Sequence, residues 1–345
     1  PGTTLSRGLN FPTGIAVDQE GNLYVVDAGN CRILRYPRPF ENEMNRTNPD
    51  VLIGQADYDH RGENRSRGVS AVGNDGIGAL PPLADNHPVV QQLAFDNGGN
   101  LWFTDTNNHR VLRFPRGQDG KVQGVADIVL GQANMNSRNA AAQSTQGFQD
   151  LSRLRYPVGV VIDSAGRIYV ADGLARVLVY SNNPLPAATA AMRMLGLVRV
   201  EQGQQPPSRP NNIEFGLPMG LVMIGDRLGV VDQAWNRISI FAPFNQWPAD
   251  SQTTSSPAAS TVIGQASFST DVGSAAMNGL RSPAQAAFSG TEIFVADTFN
   301  NRVVVYPESA AGAAPGSAAA TRVLGQRDFG FFAPNWIEGR ELYLF

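Results

Sequence analysis

Apolar residues along this chain fall in short runs, each closed by polar or turn-forming residues, and the runs recur in ordered sets of four. The first run of a set (GIAVD, GVVID) is almost wholly apolar, as suits a strand covered on both faces. The second (NLYVVD, NLWFTD, RIYVAD, EIFVAD) is rich in aromatic and β-branched residues, which pleated buried surface favours. The third (RILRYP, RVLRFP, RVLVYS, RISIFA, RVVVYP) alternates more, and a Pro ends it in most copies. The fourth (VLIGQ, IVLGQ, TVIGQ, RVLGQ) is short. Between the first two runs lie DQEGN, DNGGN and DSAGR, tight-turn sequences built on Asp, Asn and Gly.

The sets repeat through the whole chain. The Asp closing the second run marks the period at Asp27, Asp105, Asp172, Asp232 and Asp297, in steps of 78, 67, 60 and 65 residues. Gly-Gln pairs follow in the same order at Gly54/Gln55, Gly131/Gln132, Gly264/Gln265 and Gly325/Gln326, with Gly196/Leu197 in the third copy. A further half copy begins at Ala333. Four antiparallel strands per repeat, arrayed radially, describe a propeller blade. The expected fold is therefore all-β, a single-domain six-bladed β-propeller over 1–345. Its blades are placed at about 11–59, 86–136, 154–200, 215–270 and 280–330. The last is assigned to 331–345 plus 1–10, closed by pairing of the N- and C-terminal strands so that no sheet edge stays open.

The linkage after the second run is the most specific feature. Asp27, Asn30 and Arg32 form a D-x-x-N-x-R pattern that returns at Asp105, Asn108 and Arg110. It returns again at Asp297, Asn300 or Asn301, and Arg302, and, with one added residue before the Asn, at Asp232, Asn236 and Arg237. The third copy keeps Asp172 and Arg176 without the Asn. Together with P-x-G-hydrophobic-A-V-D and G-N-L-Y-V-V-D, this resembles the NHL-repeat β-propellers over most of the chain. Among propeller enzymes with similar repeats, the amidating lyase holds a central zinc with several histidines, and lactonase-type propellers hold calcium with Glu, Asp and Asn. His60, His87 and His109 are the only histidines here, too few for the first set. Nothing beyond the blade pattern matches the second.

Net charge is −3, from 27 Lys plus Arg against 30 Asp plus Glu, and the arginines are spread rather than clustered. That argues against a nucleic-acid partner, which needs concentrated positive charge. Lys121 is the only lysine, a coding bias that fits a GC-rich bacterial source. No apolar stretch approaches the length of a membrane-spanning helix. Cys31 is the only cysteine, so no intrachain disulfide can form. The chain opens at Pro1 with neither Met nor a charged-then-apolar leader, as a processed or excised chain would, and export to the periplasm or outside the cell is the expected location.

The repeated Asp is read as structural, accepting hydrogen bonds from turn amides while the following Arg packs on a neighbouring blade. His109, at the place of Cys31 and Asn301, is read as a variable surface position. Where the first run loses its Gly, the chain places Gln92, Gln285 and Trp336, flanked by Thr13, Gln91, Met219 and Asn335 at matching sites. With His87 these form the candidate lining of a central channel, either holding a small ligand or plugging the channel. Long inserts at 60–86, 134–153, 201–213 and 243–260 are expected to project from the rims. Phe148, Phe244, Trp247, Phe331 and Phe332, in or beside such loops, are the candidate partner contacts. No G-x-S-x-G, P-loop or H-E-x-x-H occurs. The expected function is a non-catalytic binding or scaffold propeller that docks a protein through one rim, or serves a larger exported complex. The alternative is a metal-dependent lyase or hydrolase with its site in the channel. No cofactor is predicted; calcium, structural or in the channel, is the one metal the pattern leaves room for.

Overall fold

The computed structural model describes residues 8–78, 90–200, 202–251, 254 and 256–334. They form five four-stranded antiparallel sheets, each with its strands in chain order. Blade one holds β1 (Pro12–Val17), β2 (Leu23–Asp27), β3 (Arg32–Tyr36) and β4 (Val51–Ile53). Blade two holds β5 (Leu93–Phe95), β6 (Leu101–Asp105), β7 (Arg110–Phe114) and β8 (Ile128–Leu130). Blade three holds β9 (Gly159–Ile162), β10 (Ile168–Asp172), β11 (Arg176–Tyr180) and β12 (Arg193–Leu195). Blade four holds β13 (Pro218–Ile224), β14 (Arg227–Asp232), β15 (Arg237–Phe241) and β16 (Thr261–Ile263). Blade five holds β17 (Pro283–Phe288), β18 (Glu292–Asp297), β19 (Arg302–Pro307) and β20 (Arg322–Leu324).

The described chain thus has five blades, which corrects the expected six. The sixth had been counted from the half copy at Ala333, and that half copy supplies no strand among the described residues. Each of the five sheets is complete within one contiguous repeat, so none borrows a strand from the far end of the chain. Most of the stretch assigned to a closing blade, 1–7 and 335–345, lies outside the described residues.

Local chemistry explains the hairpins. In the turns between first and second strands one aspartate caps the loop. Asp18 Oδ1 accepts from the amides of Glu20 and Asn22. Asp96 does the same for Gly98 and Asn100, and Asp163 for Ala165 and Arg167. Strand alternation then buries both faces of the second and third strands. The described chain falls into two compact units, one within Pro1–Leu174 plus Val179–Met192, the other within Ala175–Leu178 plus Arg193–Phe345. In the first, Tyr24, Val26 and Ile33 of blade one pack with Leu101, Phe103, Leu112 and Phe114 of blade two. In the second, Val222, Ile238 and Ile240 of blade four pack with Ile293, Val295 and Val304 of blade five. Each such side chain contributes about 1.5–3 kcal/mol by leaving water.

The innermost strands crowd one another. β1 packs on β5 and β5 on β9, while β13 packs on β17. Ala16 of β1 packs into the blade-one and blade-two core, whereas Ile15 and Val17 of the strand and Phe11 just ahead of it are exposed. The outer edge of β8 is covered by the chain itself, since Val129 N donates to the Pro186 carbonyl and Leu130 bridges Thr189 in parallel. Among the described residues no helix is long and apolar enough to cross a membrane.

Candidate functional site

The hairpin register sets Asp27 across from Arg32, Asp105 from Arg110, Asp232 from Arg237 and Asp297 from Arg302. In blades one, two and five the arginine Nε donates to the aspartate Oδ2 at 2.7 Å. The same oxygen accepts from the Nδ2 of Asn30, Asn108 or Asn300 at 2.8, 2.9 and 2.8 Å. The other oxygen accepts a backbone amide from the segment approaching the blade: Asn10 at 2.6 Å, Gly78 at 2.8 Å and Arg281 at 2.6 Å. Both oxygens of each of these carboxylates therefore accept hydrogen bonds from the protein itself. Burial raises the Asp297 carboxyl above its ordinary range, and the Arg302 guanidinium opposes that shift.

Each arginine then clamps two connecting segments. Its Nη2 donates to carbonyls ahead of its own blade: Gly8 for Arg32, Gly73 and Gly76 for Arg110, Asn211 and Glu214 for Arg237, and Ala276 and Gly279 for Arg302. Its Nη1 donates to a carbonyl leaving the blade, at Tyr58, Met135, Phe268 or Phe329. These bonds tie each arginine to the connecting segments before and after its own blade.

The Gly-Gln pairs, which the sequence offered only as period markers, complete it. Gln55, Gln132, Gln265 and Gln326 donate Nε2 to the carbonyls of Cys31, His109, Asn236 and Asn301, all residues in the left-handed conformation. The same nitrogen reaches a carbonyl seven residues beyond the glutamine, at Gly62, Asn139, Val272 or Ala333. The signal in the sequence was the glycine ahead of each glutamine. Gly131, for example, has φ +82°, and a Cβ there would meet the Leu154 side chain at 2.5 Å.

Blade four departs from this arrangement. Its linkage has the ordinary length, so the added residue is corrected to a replacement: Trp235 stands where Asn30, Asn108 and Asn300 stand elsewhere. Lacking that amide, Asp232 accepts instead from Gly216 N and Leu217 N, and Arg237 Nε recedes to 3.5 Å. The Arg237 guanidinium lies 4.5 Å from the Trp235 ring centroid and that of Arg209 5.1 Å. Burial raises the Asp232 carboxyl and lowers Arg237 from their ordinary ranges. In blade three Asp172 accepts from Arg155 N and Leu174 N, both at 3.1 Å.

Of the channel candidates, the first unit pairs Thr13 with Gln91 and ties Gln92 to β9. Thr13 Oγ1 donates to Gln91 Oε1 at 3.3 Å, and Gln91 Nε2 reaches the Thr104 carbonyl at 3.4 Å. Gln92 Oε1 accepts from Val160 N at 3.1 Å, linking β5's approach to β9. In the second unit, Met219 is a buried residue at a register shift in β13, and the Gln285 side chain lies over Gly220, where a Cβ would collide with its Oε1. His87, Asn335 and Trp336 lie outside the described residues. Among the described residues no three His, Cys, Asp or Glu side chains converge in a way that could hold a metal ion.

The histidines differ in setting. His60 is exposed and bonds Asp57 through Nδ1 at 2.7 Å. His109 is not a surface position as expected but is 8% exposed, with its ring against Tyr156.

Two of the partner candidates are half-buried on their own blade. Phe244 and Trp247 lie at 5.0 Å from each other, Trp247 lies at 6.4 Å from Phe241, and Trp247 Nε1 donates to the Ala242 carbonyl at 2.7 Å. Phe148, at the end of a short helix (Thr145–Phe148), is half-buried. Phe331 and Phe332 are exposed at 43% and 51%, and the structure adds Phe299 at 43% and Val272 at 70%. These four belong to neighbouring segments. Arg281 lies across Gly273 beside Val272, Phe299 N donates to the Arg281 carbonyl at 3.1 Å, and Asn301 Nδ2 donates to the Phe332 carbonyl at 3.0 Å.

Comparison with known proteins is consistent with this architecture. The NHL repeat family matches residues 9–36, a stretch that contains Asp27, Asn30 and Arg32. No curated protein matches the chain. Among solved structures, a protein from Lactobacillus plantarum aligns with a TM-score of 0.51 at 12% identity, over 92% of this chain and 72% of that one. A streptogramin B lyase structure aligns at 0.45 and 10% identity, over 88% of this chain and 67% of that one. A nidogen/laminin complex aligns at 0.47 and 15% identity, over 91% and 80%. At such identities the first of these bears on the fold alone, and the other two carry no argument. The chain carries an NHL repeat in its first blade and is built as an all-β propeller of four-stranded blades.

Proposed function

We propose that the protein is a binding propeller that docks a protein partner through the loops around blade five. The observation that supports this is the group Val272, Phe299, Phe331 and Phe332, large apolar side chains held out on neighbouring segments. Those segments are tied down: Arg302 grips the carbonyls of Ala275 and Phe329 at 2.6 and 2.9 Å, and Gln265 and Gln326 strap Val272 and Ala333. A surface already ordered before binding loses little conformational entropy on association, and exposed aromatic anchors are what such interfaces use. The buried Asp and Arg of blades one, two and five, which would otherwise suggest reactive or metal-binding groups, bond to each other and to backbone.

The test compares the natural protein with Phe299→Ser/Phe331→Ser/Phe332→Ser. Purification from the native source should return a stoichiometric partner with the natural chain. The triple variant should lose it while melting at an unchanged temperature. A clean monomer in every extract, or a partner retained by the triple variant, would overturn the reading.

A further inference from the structure

We infer that His109 is a proton-sensitive latch that fastens the segment leading into blade three onto blade two and loosens it on acidification. The latch lies wholly within the first compact unit. His109 closes the turn between β6 and β7 in a left-handed conformation, φ 55° and ψ 41°, which turns its ring toward the chain before β9. There Nδ1 stands 3.1 Å from Tyr156 N, and the ring meets the Tyr156 ring edge-on at 4.4 Å. Since a backbone N–H can only donate, Nδ1 must carry a lone pair, so the ring is neutral with its proton on Nε2. Thr106 Oγ1, from the same turn, donates to the Pro157 carbonyl at 2.7 Å. Two side chains of blade two therefore hold consecutive residues of the segment, and one of the two bonds depends on a lone pair that a proton would take.

The surroundings oppose protonation. From the 134–156 segment come two guanidiniums. Arg138 is fixed to the carbonyls of Val69 and Asn107, and Arg155 lies over the Tyr156 ring at 5.5 Å. From β6 comes Asp105, whose negative charge favours the proton but is met by Arg110 at 2.7 Å. The insert before blade two carries Arg65 and Arg67, both paired with Asp75. Burial is the largest cause, followed by Arg138 and Arg155, and together they lower the His109 pKa from 6.5 to about 4.

The sign follows from linkage. A histidine whose pKa is depressed when held adds stability that is fully present above its ordinary value of 6.5 and is lost as pH falls toward about 4. Protonation replaces the acceptor with a second donor facing Tyr156 N–H, so the ring and the segment separate. Between pH 7 and pH 4.5 the open form should gain roughly 60-fold over the closed form, given those two pKa values. Blade four shows a version that cannot titrate: Asn236, also left-handed, accepts from Ser282 N through Oδ1 at 2.7 Å.

The test is hydrogen exchange of the peptide containing 154–158, natural chain against His109→Asn, at matched pH so that intrinsic exchange cancels. The ratio of the two rates should lie near one at pH 7 and exceed tenfold at pH 4.5. A ratio that stays constant across this range would overturn the latch. Should His109→Asn fail to fold, NMR titration of the natural chain decides instead. With three histidines to assign, a His109 midpoint near 4 that coincides with loss of the Tyr156 amide protection supports the latch. A midpoint near 6.5, or a titration that leaves Tyr156 protected, removes it.

Discussion

The buried Asp–Arg pairs should not be worth the same in every blade, and the difference can be worked from their geometry. In blade two Arg110 Nε sits 2.7 Å from Asp105 Oδ2, whereas in blade four Arg237 Nε sits 3.5 Å from Asp232 and has no hydrogen-bond partner. Coulomb's law at an effective dielectric constant of ~20 makes the shorter pair stronger by about 1.4 kcal/mol. The charge-assisted hydrogen bond, present in blade two and missing from blade four, adds about another 1 kcal/mol. Two double-mutant cycles measure this, one from Asp105→Ala and Arg110→Met, the other from Asp232→Ala and Arg237→Met. Urea unfolding at neutral pH, followed by tryptophan fluorescence, gives each corner. Arg110→Met alone should cost about 3–5 kcal/mol, because it leaves a buried carboxylate without its counter-charge. The coupling in blade two should exceed that in blade four by about 2 kcal/mol. Equal couplings, or a larger one in blade four, would mean that the Nε contact does not govern the strength of the clamp.

Two further outcomes follow from the strap. Gln132→Glu places a carboxylate oxygen against the carbonyls of His109 and Asn139, so at neutral pH it should destabilise more than Gln132→Ala, which costs about 1–3 kcal/mol. The gap should narrow as the new carboxyl protonates in acid, and urea midpoints across pH would show no such convergence if Nε2 were not the donor. Gly131→Ala meets both a φ of +82° and the buried Leu154 side chain, whereas Gly68→Ala, at φ +90°, has nothing within 4 Å. The first should cost about 1–3 kcal/mol more than the second in thermal melts, and equal losses would show that backbone strain alone accounts for both.

Much of the fold was legible because its causes are local. Alternation, the Asp-led turns and the recurring D-x-x-N-x-R linkage act within a few residues of each other, so they survive as sequence pattern. The blade count differs from expectation because a half copy at Ala333 reads as the start of a blade, whereas the described residues form five complete four-stranded sheets. His109 was misread for a related reason. Cys31, His109, Asn236 and Asn301 differ in chemistry, and variation at a turn suggests surface. What they share is a left-handed backbone conformation and a carbonyl gripped by glutamine, and a carbonyl is carried by every residue. Trp235 was hidden by its neighbour: Asn236 invited the reading of an insertion, when the tryptophan had simply taken the amide's place beside two guanidiniums. The exposed Phe331 and Phe332 were visible as aromatics in a loop, but Phe299 and Val272 join them only through contacts between segments distant in sequence.

The glutamine straps also bear on how this protein can change over time. Each strap spans the seven residues after its glutamine, and each arginine grips carbonyls ahead of its own blade, close to the first strand at Gly279 and well ahead of it at Gly73 and Gly76. The chain between those two anchors keeps fewer ties, such as Asn64 Oδ1 accepting from Asn108 and the Val69 carbonyl accepting from Arg138. Its length can grow or shrink with only the slow, logarithmic cost of loop closure. Spacings as unequal as 78, 67, 60 and 65 residues between successive Asp positions are therefore compatible with nearly identical blades. New surface can accumulate in these intervals one insertion at a time, while the framework that displays it is inherited unchanged.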